Sequence, residues 1–245
     1  MFLSMTVKVS VCQVPDIRED IGTSLQWVQK FTSQAEEEGV SLICFPECFL
    51  QGYLTENVLA RKYAIGLNGL VFKSILEQLA RKRPVIVFGV IEEEDGNLFN
   101  TAVVIKEGEL LGKYRKTHLL HGEHIFESGF EYPIFEVNGL LFGINICFDT
   151  QFADAAASLA KQGVKLILCP ANNMMHFGTA EKYKHFHHEM RIRRAQENQI
   201  WLMSSDVTGQ RQGRIAYGPT SAINPYGKVV AQVPLMQTGM VVVDI

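Results

Sequence analysis

Leu140-Leu141-Phe142-Gly143-Ile144-Asn145-Ile146-Cys147-Phe148-Asp149 begins as an apolar run and stops on a cysteine. The run predicts a β-strand over Leu140 to Ile146. Ala153 to Lys161 then carries helical spacing, and a second apolar run follows, Leu166-Ile167-Leu168-Cys169-Pro170. Strand, helix and strand in that order make a β-α-β unit. The chain opens on the same layout. Thr6 to Cys12 favours β-branched residues, Thr23 to Glu38 places Leu25, Val28, Phe31 and Ala35 on one helical face, and Ser41-Leu42-Ile43-Cys44-Phe45 is an apolar run ended by Pro46. Such unbroken apolar strands are buried on both faces.

Between the two units the pattern changes. Leu70 to Lys82 reads as a helix, Val85 to Val90 as a strand, and the turns Glu94-Asp95-Gly96-Asn97 and Lys106-Glu107-Gly108-Glu109 set Thr101 to Ile105 and Leu110 to Tyr114 in a meander. Thr117 to Tyr132 reads as a loop. After the second unit, Thr179 to Asn198 reads as one long charged helix with Tyr183, Phe186, Met190 and Ala195 toward its apolar side, and Ile200 to Ser204 as a strand. Thr220 to Ile223 and Val229 to Val233 flank the turn Pro225-Tyr226-Gly227-Lys228, before a last strand over Met240 to Val243. Strands interleaved with helices require a helix-covered sheet, and two such sheets face to face bury apolar runs on both sides. Residues of function are then expected in the loops at one rim, where strands end.

Size and charge narrow the class. A chain of 245 residues with 47% hydrophobic and 20% charged residues suits a single domain over 1–245, with no linker or repeat in view. Lys plus Arg number 23 against 26 Asp plus Glu, a net charge of −3 with both signs interspersed, so there is no basic footprint for nucleic acid. No apolar run approaches the roughly 18 residues of a membrane span, and Met1 to Met5 lacks the basic flank and apolar length of a signal peptide, so a cytoplasmic protein is expected. The five cysteines show no framework spacing, and in a reducing compartment each is a buried hydrophobe, a ligand or a nucleophile.

Cys147 is the best-placed nucleophile. A thiol between a strand end and a helix start sits beside unpaired N–H groups, which favour a thiolate and can later receive an oxyanion; the alternative is a buried core thiol. Glu47, in Phe45-Pro46-Glu47-Cys48, follows a buried strand, where desolvation raises a carboxyl pKa toward that of a general base; the alternative is an ordinary loop carboxylate. Lys116, in Lys113-Tyr114-Arg115-Lys116-Thr117-His118-Leu119, ends a strand and is either a pocket cation able to neutralise an oxyanion or a solvated strand-end lysine.

Phe45-Pro46-Glu47 with Gly52-Tyr53, Tyr114 to Leu119, and Gly143 to Asp149 together resemble the glutamate, lysine and cysteine blocks of the nitrilase superfamily of carbon–nitrogen hydrolases. The resemblance continues through Cys169 to Asn173, Arg194 to Asn198, Gly218 to Ser221 and Asn224 to Gly227, and so covers nearly the whole chain. It implies a four-layer α-β-β-α sandwich of two mixed sheets, a homodimer or higher homo-oligomer, a small amide as substrate, and no metal or organic cofactor. It also implies that Glu47 takes the proton of Cys147 and that Lys116 with the Phe148 N–H holds the oxyanion. A supporting glutamate then stands with Lys116, either Glu123 or its rival Glu127.

Phe148-Asp149 after the cysteine resembles the amidase and carbamoylase branches rather than the nitrile-hydrolysing one, which carries Trp-Glu there. Tyr53, Phe148, Asn172 and Asn173 match positions that line the family's pocket, although the two asparagines suit equally a role in holding the turn after Pro170. The carbamoylase branch has an arginine near that turn to hold a substrate carboxylate; here only Arg191, Arg193 and Arg194 offer a cation. His185-Phe186-His187-His188 lacks a third ligand in sequence reach, so a solvated helix face is the simpler account than a metal site. A Cys-His pair using His118 or His121, a catalytically silent binding protein, and an acyltransferase using the same thioester are the rival readings.

Overall fold

The computed structural model describes residues 6–245, so the opening Met1 to Met5 lies outside the described residues. The first half runs β1 (Lys8–Pro15), α1 (Ile21–Glu37), β2 (Leu42–Cys44), α2 (Asn57–Tyr63), α3 (Leu70–Leu79), β3 (Val85–Glu94), β4 (Asn97–Lys106) and β5 (Glu109–Arg115). The second runs β6 (Phe135–Val137), β7 (Leu140–Ile144), α4 (Ala153–Ala160), β8 (Leu166–Pro170), β9 (Met175–His176), α5 (Phe177–Tyr183), α6 (Phe186–Asn198) and β10 (Trp201–Arg211). It closes with β11 (Arg214–Ala216), β12 (Ser221–Ile223), β13 (Val229–Gln232) and β14 (Gly239–Asp244).

These strands form two mixed sheets. One has the order β5-β4-β3-β2-β1 with β14 antiparallel against β1, and the other carries β6-β7-β8-β10 with β12 and β13 beyond. Their strands pair with each other where Gln13 to Pro15 at the end of β1 runs parallel to Asp206 to Thr208 of β10. The continuous apolar runs explain the layering. Alternate residues of one sheet (Val9, Val11, Val87) pack against Phe142, Ile144, Leu168 and Met203 of the other in a shared core. The intervening residues face outward: Ile43, Ile86 and Phe88 against α1 and α3, and Ile167, Cys169 and Leu202 against α4 and α6. The molecule is thus helix, sheet, sheet, helix. Among the described residues, no helix is long and apolar enough to cross a membrane.

The long helix expected over Thr179 to Asn198 is two helices. α5 stops at Tyr183, the chain turns through Lys184 and His185, and α6 starts at Phe186. At the break the Tyr183 and Phe186 rings pack edge to face, 5.7 Å apart, and both line one cavity. The strand from Leu140 ends at Ile144 rather than Ile146: Asn145 makes a last bond across to Leu168, and the Ile146 N–H turns instead to the Asp149 carboxylate, 2.9 Å away. Cys147 is followed not by an α-helix but by a short 3-10 turn, Cys147–Gln151, with α4 starting only at Ala153.

Gly89 shows how tightly one rim is built. A Cβ placed there would lie 2.1 Å from the Cys48 nitrogen and 2.7 Å from the Glu47 Cα, both backbone atoms that cannot swing aside. Gly89→Ala is therefore expected to cost about 1–3 kcal/mol or more by overpacking and to displace the Glu47 loop, lowering stability and turnover together; a variant with an unchanged melting temperature would contradict this close approach.

Candidate active site

Every segment singled out for chemistry leaves its strand at the same rim. Glu47 lies three residues beyond β2, Lys116 directly after β5, Cys147 three residues beyond β7, and Asn172 two residues beyond β8. The Glu47 N–H donates to the Ala171 carbonyl, 3.4 Å away, and Gly89 donates to Pro46, 3.0 Å away, so the glutamate loop is pinned to both sheets.

Lys116 is the centre of the arrangement. Its ammonium, 1% exposed, donates to Glu47 Oε1 at 2.7 Å and to both oxygens of Glu123 at 2.8 and 2.9 Å. Both carboxylates are equally buried. Glu127 is exposed and away from this cluster, so of the two candidates Glu123 is the one placed against Lys116. Asn100 completes the group. Its Nδ2 donates to Glu47 Oε1 at 2.8 Å and to Glu123 Oε1 at 3.0 Å, and its Oδ1 accepts from the Cys48 thiol at 3.4 Å. The sequence reading missed Asn100, although a lone amide inside the buried strand Leu98-Phe99-Asn100-Thr101-Ala102 is its signal.

The electrostatics follow from two acids and one base shut away from water. Burial works against the Lys116 charge, but Glu47 and Glu123 outweigh it and hold its pKa well above the ordinary value. Burial raises the Glu47 pKa against the pull of Lys116, with Glu123 adding to the rise. Cys147 is partly buried and within reach of the Glu47 and Lys116 charges. Burial and the Glu47 charge push its thiol well up, while Lys116 opposes both. The resting thiol is therefore protonated, contrary to a standing thiolate favoured by backbone N–H groups alone. Transfer of its proton to Glu47 leaves the net charge of the cluster unchanged and sets the thiolate near Lys116. Glu47 Oε1 already accepts two bonds, whereas Oε2 accepts one, from the Asn172 N–H at 3.0 Å, and keeps room for a proton.

Cys147 itself is held in a left-handed conformation at φ 43°, which costs a non-glycine residue about 1–3 kcal/mol and is sustained by its surroundings. Asp149 supplies part of that support. Fully buried, it accepts from the Ile146 N–H and the Tyr114 hydroxyl through Oδ2, at 2.9 and 2.7 Å, and from Thr117 Oγ1 and the His118 N–H through Oδ1, at 3.0 and 2.8 Å. It thus ties the cysteine turn to the lysine loop. Its hydrogen bond to His118 also raises that imidazole's pKa. His118 is engaged there and stacks on Phe152, with ring centres 3.9 Å apart.

A cavity of about 370 Å³ opens on Cys147. Phe148, Asn172 and Asn173 line it, while Tyr53 packs beside Cys48 and Leu54 and feels the Glu47 charge. The asparagine side chains are also tied down. Asn172 Oδ1 accepts from the Met174 N–H at 3.2 Å, and Asn173 donates to the buried Asp206 carboxylate, whose pKa burial pushes up to about 7. Among the described residues, no group of three or more His, Cys, Asp or Glu side chains is placed to hold a metal ion.

Comparison with known proteins gives the family. The chain is 30% identical over 234 residues to a nitrilase from Pyrococcus abyssi, covering 92% of this chain and 84% of that one. It is 29% identical over 218 residues to an omega-amidase from Xenopus tropicalis, covering 83% and 76%. Among solved structures, a Saccharomyces cerevisiae member of branch 10 of the nitrilase superfamily superposes with TM-score 0.84 at 25% identity over 99% of this chain and 90% of that one. An amidase from Nesterenkonia sp. shares the fold with TM-score 0.84 at 22% identity, over 100% and 92%. Residues 8–245 match the carbon-nitrogen hydrolase family from end to end, and the chain belongs to that family, within the nitrilase superfamily.

Proposed function

We propose that this chain, working as a single domain, hydrolyses the C–N bond of a small non-peptide amide through a thioester on Cys147, with release of ammonia or an amine. The observation that carries the reading is a buried lysine clasped by two carboxylates, with the Lys116 and Glu47 charges acting on the thiol of a partly buried cysteine that lines a cavity. Glu47 takes the thiol proton and the sulfur attacks the amide carbon. Lys116 and the Phe148 N–H, unpaired by virtue of its place in the first turn of a 3-10 helix, stabilise the oxyanion. The C–N bond then breaks, and the leaving nitrogen takes the proton from Glu47. Glu47 next deprotonates a water, whose attack on the thioester frees the acid and restores the thiol. Glu123 keeps Lys116 charged and in place, Phe148, Asn172 and Asn173 shape the substrate's path, and Tyr53, which does not line the cavity, packs beside the glutamate loop. No step calls for a metal or organic cofactor.

Phe148-Asp149 after the nucleophile supports an amide in preference to a nitrile, and the omega-amidase among the relatives supports the same choice against the nitrilase. The same reading includes a cytoplasmic homodimer or higher homo-oligomer, for which exposed Phe130 and Tyr226 offer apolar surface. Release of ammonia is expected from at least one class among aliphatic amides, ω-amides and carbamoyl amino acids, with a mass increment equal to the acyl group on Cys147 in quenched samples. Hydroxylamine should divert part of the acyl group to hydroxamate. Accumulation of hydroxamate with no acid formed in its absence would favour an acyltransferase, and inertness toward all three classes would sink the hydrolase reading.

A further inference from the structure

We infer, on the basis of the amidase reading above, that Asp206 is a positioning residue for the reaction: by clamping the Asn172–Asn173 turn it aims the Glu47 carboxylate at the Cys147 thiol. Asp206 is fully buried in β10 and does not line the cavity. Its reach is through the turn. Two successive N–H groups there are divided between two buried carboxylates: that of Asn172 donates to Glu47 Oε2 at 3.0 Å, and that of Asn173 to Asp206 Oδ1 at 3.0 Å. Oε2 is the oxygen with room for the thiol proton, so its direction is set by Asn172 and, one peptide further on, by Asp206.

The grip has several points. Asn173 Nδ2 donates to Asp206 Oδ2, the Val207 N–H donates to Oδ1 at 2.9 Å, and the Asp206 N–H donates to Thr220 Oγ1 at 2.9 Å. Just before the turn, the Ala171 N–H donates to the Ser205 carbonyl at 2.8 Å while its own carbonyl accepts from the Glu47 N–H. Protonation would undo the clamp. Oδ1 is occupied by two backbone N–H groups, so the added hydrogen belongs on Oδ2, where it meets the Asn173 amide as a donor facing a donor.

Burial raises the Asp206 pKa to about 7, and the Arg191 charge keeps it from rising further. Arg191, on α6, is itself 1% exposed; its Nη1 donates to Ser204 Oγ at 3.1 Å and to the Pro219 carbonyl at 3.3 Å, and its Nε has no partner. Its neighbours on that helix, Arg193 and Arg194, pair with Glu197 at 2.8 and 3.0 Å. From β8, the Cys169 thiol feels the Asp206 charge, and burial raises its pKa so that it stays neutral. On β1 the residue in register with Asp206 is the uncharged Gln13. Arg191 is thus the cation that favours an ionised clamp at neutral pH.

Asp206→Asn imitates the protonated clamp, because in either orientation its NH₂ meets a donor. Wild type and variant are compared from pH 5.5 to 8.5 in two measurements. One is the labelling of Cys147 by iodoacetamide, followed by peptide mass; the other is ammonia release from whichever of valeramide, glutaramate and carbamoylglycine wild type hydrolyses fastest. At pH 8 the variant's kcat is expected to fall about 10- to 100-fold, with KM moving far less, and labelling to slow about tenfold. Below pH 6, where Asp206 is protonated in wild type too, the two proteins should converge, so the wild-type to variant ratio opens through about pH 7. A ratio constant with pH, the mark of a merely structural lesion, or equal rates at pH 8 would overturn the proposal. If wild type releases no ammonia yet the labelling ratio opens with pH, the hydrolase reading fails and the role of Asp206 stands. Should Asp206→Asn not fold, Asn173→Ala removes the side-chain donor instead: labelling slowed about three- to tenfold at pH 8 supports the clamp, and unchanged labelling defeats it.

Discussion

Alanine at position 147 is expected to lower ammonia release by about 10⁵-fold or more, to the background rate, while the protein stays folded. The covalent path needs a sulfur at this point, and no other can stand in. Cys12, Cys44, Cys48 and Cys169 are all fully buried, and burial raises each of their thiol pKa values, that of Cys44 to about 12. The side chain removed is small and only partly buried, so the melting temperature should move by only a few degrees. Glu47→Gln provides the internal comparison. It keeps an acceptor for Lys116 and Asn100 but sets an amide NH₂ against the Asn172 N–H, and it cannot take a proton from the thiol. Its loss in turnover is expected at about 10²–10⁴-fold, the scale of a missing general base, with Cys147 still open to acylation. Steady-state ammonia release and mass spectrometry of quenched enzyme check both variants. Residual turnover above about one per cent in Cys147→Ala would place the nucleophile elsewhere.

How much of this was visible beforehand depended on whether the signal was local. The runs at Ser41 to Phe45, Val85 to Val90, Leu140 to Ile146 and Leu166 to Pro170 each hold a buried strand, the first and third shorter than the run, because burial on both faces leaves an unbroken apolar string. Glu47 and Cys147 were legible because each follows such a strand; Lys116 follows β5, an edge strand largely open to solvent, and only the block Tyr114 to Leu119 marked it. α2 was not, since it is one short segment with Val58 turned to solvent and lacks a clean apolar stripe. The break at Lys184 and His185 carries neither Gly nor Pro, so nothing local marks it. The pairing of β14 with β1 joins the two ends of the chain, a register that tertiary contact alone sets. Glu123 and Glu127 are close in sequence and alike in chemistry, and only the 3-10 turn at His121–Glu123 makes one buried and the other exposed. Asp149 read as a helix start and as a clue to the branch; that it ties Tyr114, Thr117 and His118 to the cysteine turn depends on a contact across more than thirty residues.

The second large effect is expected from Lys116→Met, which keeps the length of the side chain and removes its charge. Glu47 and Glu123 are then left facing each other in the core with only Asn100 between them. Stripping one member from a buried ionic group typically costs about 3–5 kcal/mol, which for a chain of this size lowers the melting temperature by roughly 6–20 °C. Turnover should fall by about 10³-fold or more, because the oxyanion loses its cation and the base its orientation. The loss of stability should also depend on pH. Burial raises the Glu47 pKa above its ordinary value of 4.5, and Lys116 is the main influence pulling it back. Without that pull the folded state binds a proton more tightly than the unfolded chain does. Stability is then greatest below about pH 4.5, and it falls as pH rises through the raised folded value. Wild type, with the ammonium in place, follows this decline less steeply, so the gap in melting temperature between the two proteins should widen from pH 5 toward pH 8. A gap of constant size across that range would mean that Glu47 does not depend on Lys116 for its charge, and the electrostatic account of the site would fall with it.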